Sequence, residues 1–65
     1  MDLNLLKYYI KKNDDSLVNL AEALGIKYNT LSMKLLGKYE FKQSEIQIIA
    51  KRYQLTADEI TKIFF

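Results

Sequence analysis

Apolar residues recur along this chain at intervals of three and four, and no stretch alternates apolar with polar residues. An interval of three to four residues is the period of an α-helix, whereas alternation would indicate a strand. The pattern therefore predicts an all-α chain. The predicted helices cover about residues 3–12, 17–24, 28–36 and 43–53, and a fifth starts after Thr56.

The residues at the predicted helix ends are of types that begin or stop helices. Ser16 precedes the second helix, where its hydroxyl oxygen can accept a hydrogen bond from a free N–H of the first turn. Thr56, followed three residues later by Glu59, has the spacing of a capping box. Gly25 and Gly37 are expected to end the second and third helices, because glycine adopts a positive φ without steric cost.

The length of 65 residues allows one domain at most, and a chain of this size buries only about 60% of the surface that its unfolded form exposes. Cysteine is absent, so no disulfide contributes and stability must come from apolar packing. Hydrophobic residues make up 49% of the chain, which is enough for a core. The residues expected on the inner faces are, in helix order, Leu3, Leu6 and Ile10; Leu17, Leu20, Ala21 and Leu24; Leu31 and Leu35; Ile46, Ile49, Ala50 and Tyr53; and Ile60, Ile63 and Phe64.

The composition argues against catalysis. Histidine and cysteine are both absent, which removes the commonest general base, the commonest metal ligands and the thiolate nucleophile. Asp58 and Glu59 are adjacent on a predicted helix and therefore point apart, so they do not form an acid–base pair. No glycine-rich phosphate loop is present. We expect a binding protein that is not an enzyme and that needs no cofactor or metal.

The compartment is predicted from what the chain lacks. No run of about 18 apolar residues is present, as a membrane span would require. The first residues do not have the basic and then apolar character of a signal peptide. A cytoplasmic protein without membrane contact is expected.

Positive charge is concentrated in one part of the chain. The net charge is only +2. Residues 27–42, however, contain four lysines against one glutamate, a net of +3, whereas residues 13–26 contain three acidic residues and no basic one. An acidic partner should prefer the region 27–42. The alternative is that these lysines are ordinary solvated residues.

The segment 16–37 has the spacing of two helices that cross steeply around a tight turn. Ala21 is small, as a contact residue between two closely crossing helices must be. Gly25 supplies the left-handed turn residue, and Ile26 is apolar and can plug the core behind the turn. Leu31 lies where the second helix of the pair needs an inward anchor. The spacing is thus typical of a helix-turn-helix.

With these residues the chain resembles the Cro/lambda-repressor-type (XRE-like) helix-turn-helix family, and more closely the small Cro-like repressors of phages from Gram-positive hosts. The resemblance covers nearly the whole chain. It implies one domain over residues 1–65, a compact five-helix lambda-repressor-like fold with the helix-turn-helix in helices 2 and 3, and a repressor that binds operator DNA. The motif residues that carry it are Leu20, Ala21, Leu24, Gly25, Ile26, Thr30, Leu31, Ser32 and Gly37. Those beyond the motif are Lys38, Phe41, Glu45, Ile46, Ile49, Ala50, Ile63, Phe64 and Phe65.

The resemblance also implies which residues touch double-stranded DNA. In the family the third helix enters the major groove, where Lys27 would reach guanine and Asn29 adenine. The implied base contacts are Lys27, Tyr28, Asn29, Ser32 and Met33. The implied phosphate contacts are Ser16, Lys34, Lys38, Tyr39 and Lys42. The alternative for the polar residues is plain solvent exposure, and for Tyr28 and Met33 it is core packing.

Three residues depart from the family pattern. Leu17 replaces a frequent glutamine that bonds a phosphate, and Lys27 replaces a serine or threonine that caps the recognition helix. Met33 replaces an arginine or glutamine and offers no hydrogen bond. These changes weaken the polar contacts expected at the DNA but leave the core positions of the motif intact.

Two other functions and one question of assembly stay open at this stage. The chain could instead be a protein-interaction module that modulates another repressor, with Leu17, Met33 and Leu36 in its contact surface. It could also be a helical bundle without any role at nucleic acid. A two-fold operator would favour a homodimer. Its contacts would come from the fourth and fifth helices or from residues 63–65, unless those aromatics complete the core.

Overall fold

Five helices in succession account for most of the computed structural model, which describes all residues from 1 to 65. They are α1 (Leu3–Lys12), α2 (Leu17–Leu24), α3 (Tyr28–Leu35), α4 (Gln43–Tyr53) and α5 (Ala57–Phe64). No strand is present, so the prediction of an all-α chain with five helices is confirmed. Only α3 differs from its predicted bounds, ending one residue earlier because Leu36 serves as its C-cap. No helix has the length and apolar character that crossing a membrane requires.

The core lies where all five helices meet. The five largest side chains that are fully buried come one from each helix, and they are Leu6, Leu20, Leu31, Ile49 and Ile63. Together with seven further buried residues they form one continuous cluster of twelve. Since every helix contributes to the same cluster, each helix is oriented by contact with the others.

The predicted inner faces agree with this core in most positions. Leu17 and Ile60 lie at the edge of the cluster and are only partly buried. Ile63 and Phe64 belong to the core, and Phe64 packs edge-to-face on Phe41 with ring centroids 5.4 Å apart. Phe65 is 72% exposed. Of the three terminal residues considered as dimer contacts, two therefore complete the core of the protomer.

Side-chain caps begin three of the helices, and two of these caps were predicted. Ser16 Oγ accepts a hydrogen bond from the backbone N–H of Asn19 at 3.0 Å. Thr56 Oγ1 accepts from the N–H of Glu59 at 3.2 Å, and Glu59 Oε1 accepts in return from the N–H of Thr56 at 2.7 Å, which forms the predicted capping box. Asp2 caps α1 in the same manner. No side chain caps α3, in agreement with the expectation that Lys27 is a poor cap.

Helix α5 closes the fold against α1. The backbone N–H of Asp2 donates to the carbonyl of Ile63 at 2.9 Å. The hydroxyl of Tyr9 donates to Glu59, whose other carboxylate oxygen is occupied by the capping box. The N–H of Thr56 and the hydroxyl of Tyr9 together hold the pKa of Glu59 below its ordinary value. Both ends of the chain are thus attached to the same pair of helices.

Four helices end in the same hydrogen-bonded turn. After α2, the N–H of Gly25 donates to the carbonyl of Glu22 at 3.1 Å and the N–H of Ile26 to that of Ala21 at 3.0 Å. These two bonds form a Schellman motif, which requires a left-handed residue just after the helix. The left-handed residues after α1 to α4 are Asp14, Gly25, Gly37 and Gln54. The sequence predicted the two glycines but not the other two positions.

Gly25→Ala should destabilise the protein by about 1 kcal/mol, because an L-residue at φ 70° is strained. A Cβ at this position would meet no atom within 4 Å, so the cost comes from the backbone alone. In a domain of this size the melting temperature should fall by about 4–8 °C, measurable by circular dichroism.

The reciprocal substitution Gln54→Gly is the matched control for this prediction. Gln54 already occupies the left-handed region at φ 54°, so glycine relieves strain there. The melting temperature should remain equal or rise slightly. A fall of equal size in both variants would contradict the assignment of the cost to backbone conformation.

Candidate nucleic-acid interface

Helix α3 has one face fixed in the core and another open to solvent. It follows α2 after residues 25–27 and packs against that helix. Its buried residues are Leu31, Lys34 and Leu35, spaced at three and four. Since these residues define the inner face, the first turn of α3 and the side opposite Leu31 are free to meet a partner.

The five predicted base contacts lie on or beside this open face, with different accessibility. Lys27, Tyr28 and Asn29 are consecutive and exposed. Ser32 and Met33, one turn later, are half-buried, so only part of each side chain can be reached. The two ion pairs of the chain involve none of the five. The predicted base contacts thus extend from the N-cap of α3 over its first two turns, with the most accessible three at its start.

The residues after α3 add positive charge next to this face. Lys38, Tyr39 and Lys42 are exposed in the loop of residues 36–42. The loop begins at a Schellman motif in which the N–H of Gly37 donates to the carbonyl of Lys34, and that of Lys38 to Met33, both at 3.0 Å. The loop is therefore attached to the end of α3 as far as Lys38.

Ser16 presents a hydroxyl but not its backbone donor. The hydroxyl is at the exposed N-terminus of α2, which it caps by accepting the hydrogen bond from the N–H of Asn19. The backbone N–H of Ser16 donates to Asp15 Oδ1 at 2.9 Å. A phosphate at this position would therefore be bound by the hydroxyl and by free N–H groups of the first helical turn.

The structure removes Lys34 from the predicted phosphate contacts. Its side chain is buried, with Nζ 2.5 Å from Glu45 Oε1. The physical reason is the position of Lys34 on α3, three residues after Leu31 and one before Leu35, which is the core face of the helix. This spacing is visible in the sequence and is the signal that could have identified Lys34 as an inner residue.

Glu45 is the buried partner of Lys34 and was not predicted as a functional residue. Burial alone would raise the pKa of this carboxyl group. The hydrogen bonds from Lys34 Nζ and from the backbone N–H of Lys42, the latter at 2.8 Å, outweigh burial and hold the pKa below its ordinary value. Glu45 is therefore a carboxylate with two donors in an otherwise apolar interior.

A second network, also not predicted, connects the start of α2 to the end of α4. Asp15 accepts two hydrogen bonds from Arg52, from Nε at 2.7 Å and from Nη2 at 3.0 Å. It accepts a third from the hydroxyl of Tyr53 at 2.6 Å. The hydrogen bonds from Arg52 are the main reason why the pKa of Asp15 lies well below its ordinary value. The hydrogen bonds from Tyr53 and from the N–H of Ser16 lower it further. The sequence separation of 37 and 38 residues left no local signal for these contacts.

This network decides the charge at the N-terminus of α2. The carboxylate of Asp15 would repel a phosphate near Ser16 if it were free. Its bidentate pairing with Arg52 neutralises it, so Asp15 itself does not repel an anion at the amide end of α2. Asp15 therefore supports this side of the interface by its pairing and not by contact with a ligand.

The structure offers one open face of α3 and two exposed places suited to anions: the loop with Lys38 and Lys42, and the start of α2 with Ser16. No protein-family model, curated protein or solved structure matches the chain. A function for this protein must therefore be inferred from its own residues and their arrangement.

The pairing of Asp15 makes a prediction for pH dependence. Because its folded pKa lies below the value of about 3.9 expected in the unfolded chain, its contribution to stability is complete above about pH 4 and is lost as the pH falls further. Asp15→Asn should lower the melting temperature at pH 7 and make it less sensitive to acid between about pH 4 and 2 than in the wild type.

Asp14→Asn is the matched control for Asp15→Asn. Asp14 is the neighbouring residue, is exposed and forms no ion pair, and asparagine tolerates its left-handed backbone. Its acid profile should follow that of the wild type. Identical profiles for Asp15→Asn and the wild type would show that the Arg52 pairing does not stabilise the folded state.

Proposed function

We propose that this chain is a sequence-specific DNA-binding transcription regulator that represses its target by binding operator DNA, as Cro-like phage repressors do. In this proposal α2 and α3 form a lambda-repressor-type helix-turn-helix, and α3 is the recognition helix. The observation that carries it is the first turn of α3. There Lys27, Tyr28 and Asn29 are exposed side by side on a helix whose opposite face is fixed in the core.

The size of α3 suits the major groove. With its side chains an α-helix is about 10–12 Å in diameter, which fits the width of about 12 Å of the major groove in B-DNA. Buried Leu31 and Leu35 leave the helix no freedom to rotate about its axis without opening the core. A helix fixed in this way can present the same side chains to every base pair that it meets.

The exposed side chains have chemistry that distinguishes bases. Lys27 can donate to guanine O6 and N7, and the amide of Asn29 can donate to adenine N7 and accept from adenine N6. The hydroxyl of Ser32 can bond either purine. The aromatic ring of Tyr28 and the thioether of Met33 can contact a thymine methyl group. Of these five, Ser32 and Met33 can contribute only their exposed parts.

Phosphate contacts on both sides of α3 would set its register. Lys38 and Lys42 supply positive charge after the helix, and the hydroxyl of Tyr39 supplies a neutral donor. Ser16 and the amides of α2 supply donors on the other side. Such contacts position a protein on the duplex without reading its sequence. Lys34 has no part in them.

A homodimer and a cytoplasmic site of action complete the proposal. Half-sites of a two-fold operator lie about 34–36 Å apart. The principal extents of the protomer are 28 × 24 × 20 Å, so two protomers fit side by side on one face of the duplex at this spacing. Residues still exposed near the C-terminus, Phe65 among them, are available for contact between the two copies.

A second candidate function is a module that binds another repressor protein. The observation in its favour is Leu36, which is 64% exposed directly after α3. Leu17 and Met33, expected in the same surface, are half-buried. This function predicts weak binding to DNA and tight binding to a protein.

The first experiment compares two labelled duplexes in a fluorescence anisotropy titration at near-physiological salt. One carries the DNA that flanks the gene for this chain, and the other is a scrambled duplex of equal length. Tighter binding to the flanking DNA supports the operator-binding regulator. Equal affinity for both contradicts sequence specificity. Absence of binding to either contradicts a DNA-binding function and favours the protein-interaction module.

Lys38→Ala combined with Lys42→Ala should weaken binding to both duplexes. The slope of log affinity against log salt should become shallower by about 0.9 for every phosphate that the variant no longer neutralises. The control is Lys51→Ala combined with Lys62→Ala, which removes the same charge from α4 and α5. An equal change of slope in the two variants would show that net charge, and not the loop after α3, determines the affinity.

Asn29→Ala should reduce discrimination without unfolding the protein. Removal of a bidentate bond to adenine should cost about 1–3 kcal/mol in affinity for the flanking DNA and little for the scrambled duplex. The melting temperature should not change, because the side chain is exposed. Gln47→Ala, an exposed amide on α4, is the control and should leave both affinities unaltered. A parallel decrease in affinity for both duplexes would contradict base contact by Asn29.

A further inference from the structure

Lys34 and Glu45 are the only two charged residues in the buried interior. They are 5% and 4% exposed, whereas the other twelve buried residues are hydrophobic. An ion pair in such a place seldom stabilises a protein more than well-packed apolar residues of similar volume would. Its presence between α3 and α4 therefore calls for an explanation other than stability.

One carboxylate oxygen connects two segments that no other hydrogen bond connects. Glu45 Oε1 accepts from Lys34 Nζ, in the last turn of α3, at 2.5 Å. The same oxygen accepts from the backbone N–H of Lys42, the residue before α4, at 2.8 Å. The side chain of Glu45 thereby sets the distance between the end of the recognition helix and the end of the loop that follows it.

The loop has few other attachments. Residues 39–41 form no backbone–backbone hydrogen bond. Phe41 is the one side chain of this stretch that packs against the core, with its ring 5.8 Å from Lys34 Nζ and in contact with Phe64. The far end of the loop, beyond the Schellman motif, is therefore held by Phe41 and by Glu45.

We propose that the buried pair of Lys34 and Glu45 is a positioning element for the phosphate-binding loop. It would hold Tyr39 and Lys42 at a set place relative to the exposed face of α3, to which the Schellman motif already attaches Lys38, so that phosphates and bases are contacted at the same time. This inference rests on the proposed DNA-binding function and deepens it. Lys34 acts in it without touching DNA.

Charge-neutral substitution separates positioning from net charge. Lys34→Met with Glu45→Leu removes one positive and one negative charge, neither of which reaches the surface. If the pair only stabilises the fold, binding at a temperature where the variant is folded should equal that of the wild type. If it positions the far end of the loop, Lys42 should no longer reach its phosphate although the lysine is present.

The experiment measures anisotropy on the flanking DNA across a range of salt concentrations, with circular dichroism as the check on folding. In the leucine double variant we expect the salt slope to become shallower by up to about 0.9, the contribution of one phosphate contact by Lys42. Lys34→Met with Glu45→Gln retains an acceptor for the N–H of Lys42 and should restore most of the wild-type slope. Adding Lys42→Ala should weaken the wild type but hardly affect the leucine double variant.

A measurement on the unaltered protein tests the same inference if the leucine variant does not fold. Amide hydrogen exchange should find the N–H of Lys42 protected to the degree of the α4 backbone, because its acceptor is buried. Exchange at the rate of an open loop would overturn the inference.

The outcomes distinguish this inference from the function on which it rests. A folded leucine variant with the wild-type salt slope overturns the positioning role and leaves the DNA-binding proposal standing. Equal slopes for the glutamine and leucine variants, both below the wild type, also overturn it, since restoring the acceptor for Lys42 would then have no effect. Failure of the wild-type protein to bind either duplex overturns the proposed function, and the inference with it.

Discussion

The packing of five fully buried side chains at one junction is the constraint on which this structure depends. Each comes from a different helix, and the helices are only 8–11 residues long. Isolated helices of that length are marginal in water. None of these helices is therefore expected to be stable without the junction. The direction of each helix is set by the side chain that it contributes.

The C-terminal ends of the first four helices are stabilised by the same pattern of backbone hydrogen bonds. Four successive helices finish in Schellman motifs, two with glycine at the left-handed position and two with Asp14 and Gln54. The turn after α2 determines the angle at which α3 leaves, and the turn after α3 determines where the basic loop begins. The geometry of the candidate interface is thus fixed by backbone hydrogen bonds before any surface side chain is considered.

Charged residues divide into those that build the interface and those that would meet a ligand. Asp15 and Arg52 neutralise each other beside the start of α2, and Lys34 and Glu45 do so beneath the loop. Lys27, Lys38 and Lys42 remain exposed. For the proposed DNA-binding function, the unpaired lysines would determine affinity, whereas the paired charges would determine where those lysines stand.

Helical periodicity, capping residues and the two glycines are signals that act within a few residues, so the number, type and bounds of the helices could be predicted from them. The same periodicity predicted that Leu31 and Leu35 point inward, whereas the role of Asn29 was implied only by the family resemblance. The pairing of Lys34, expected at a phosphate, and the contacts of Asp15 became known only from the packed fold. Lys34 and Glu45 are 11 residues apart, and Asp15 and Arg52 are 37 apart. Such pairs form because packing at the common core brings distant helices together. No short-range pattern in a single sequence indicates which distant residues will then be in contact.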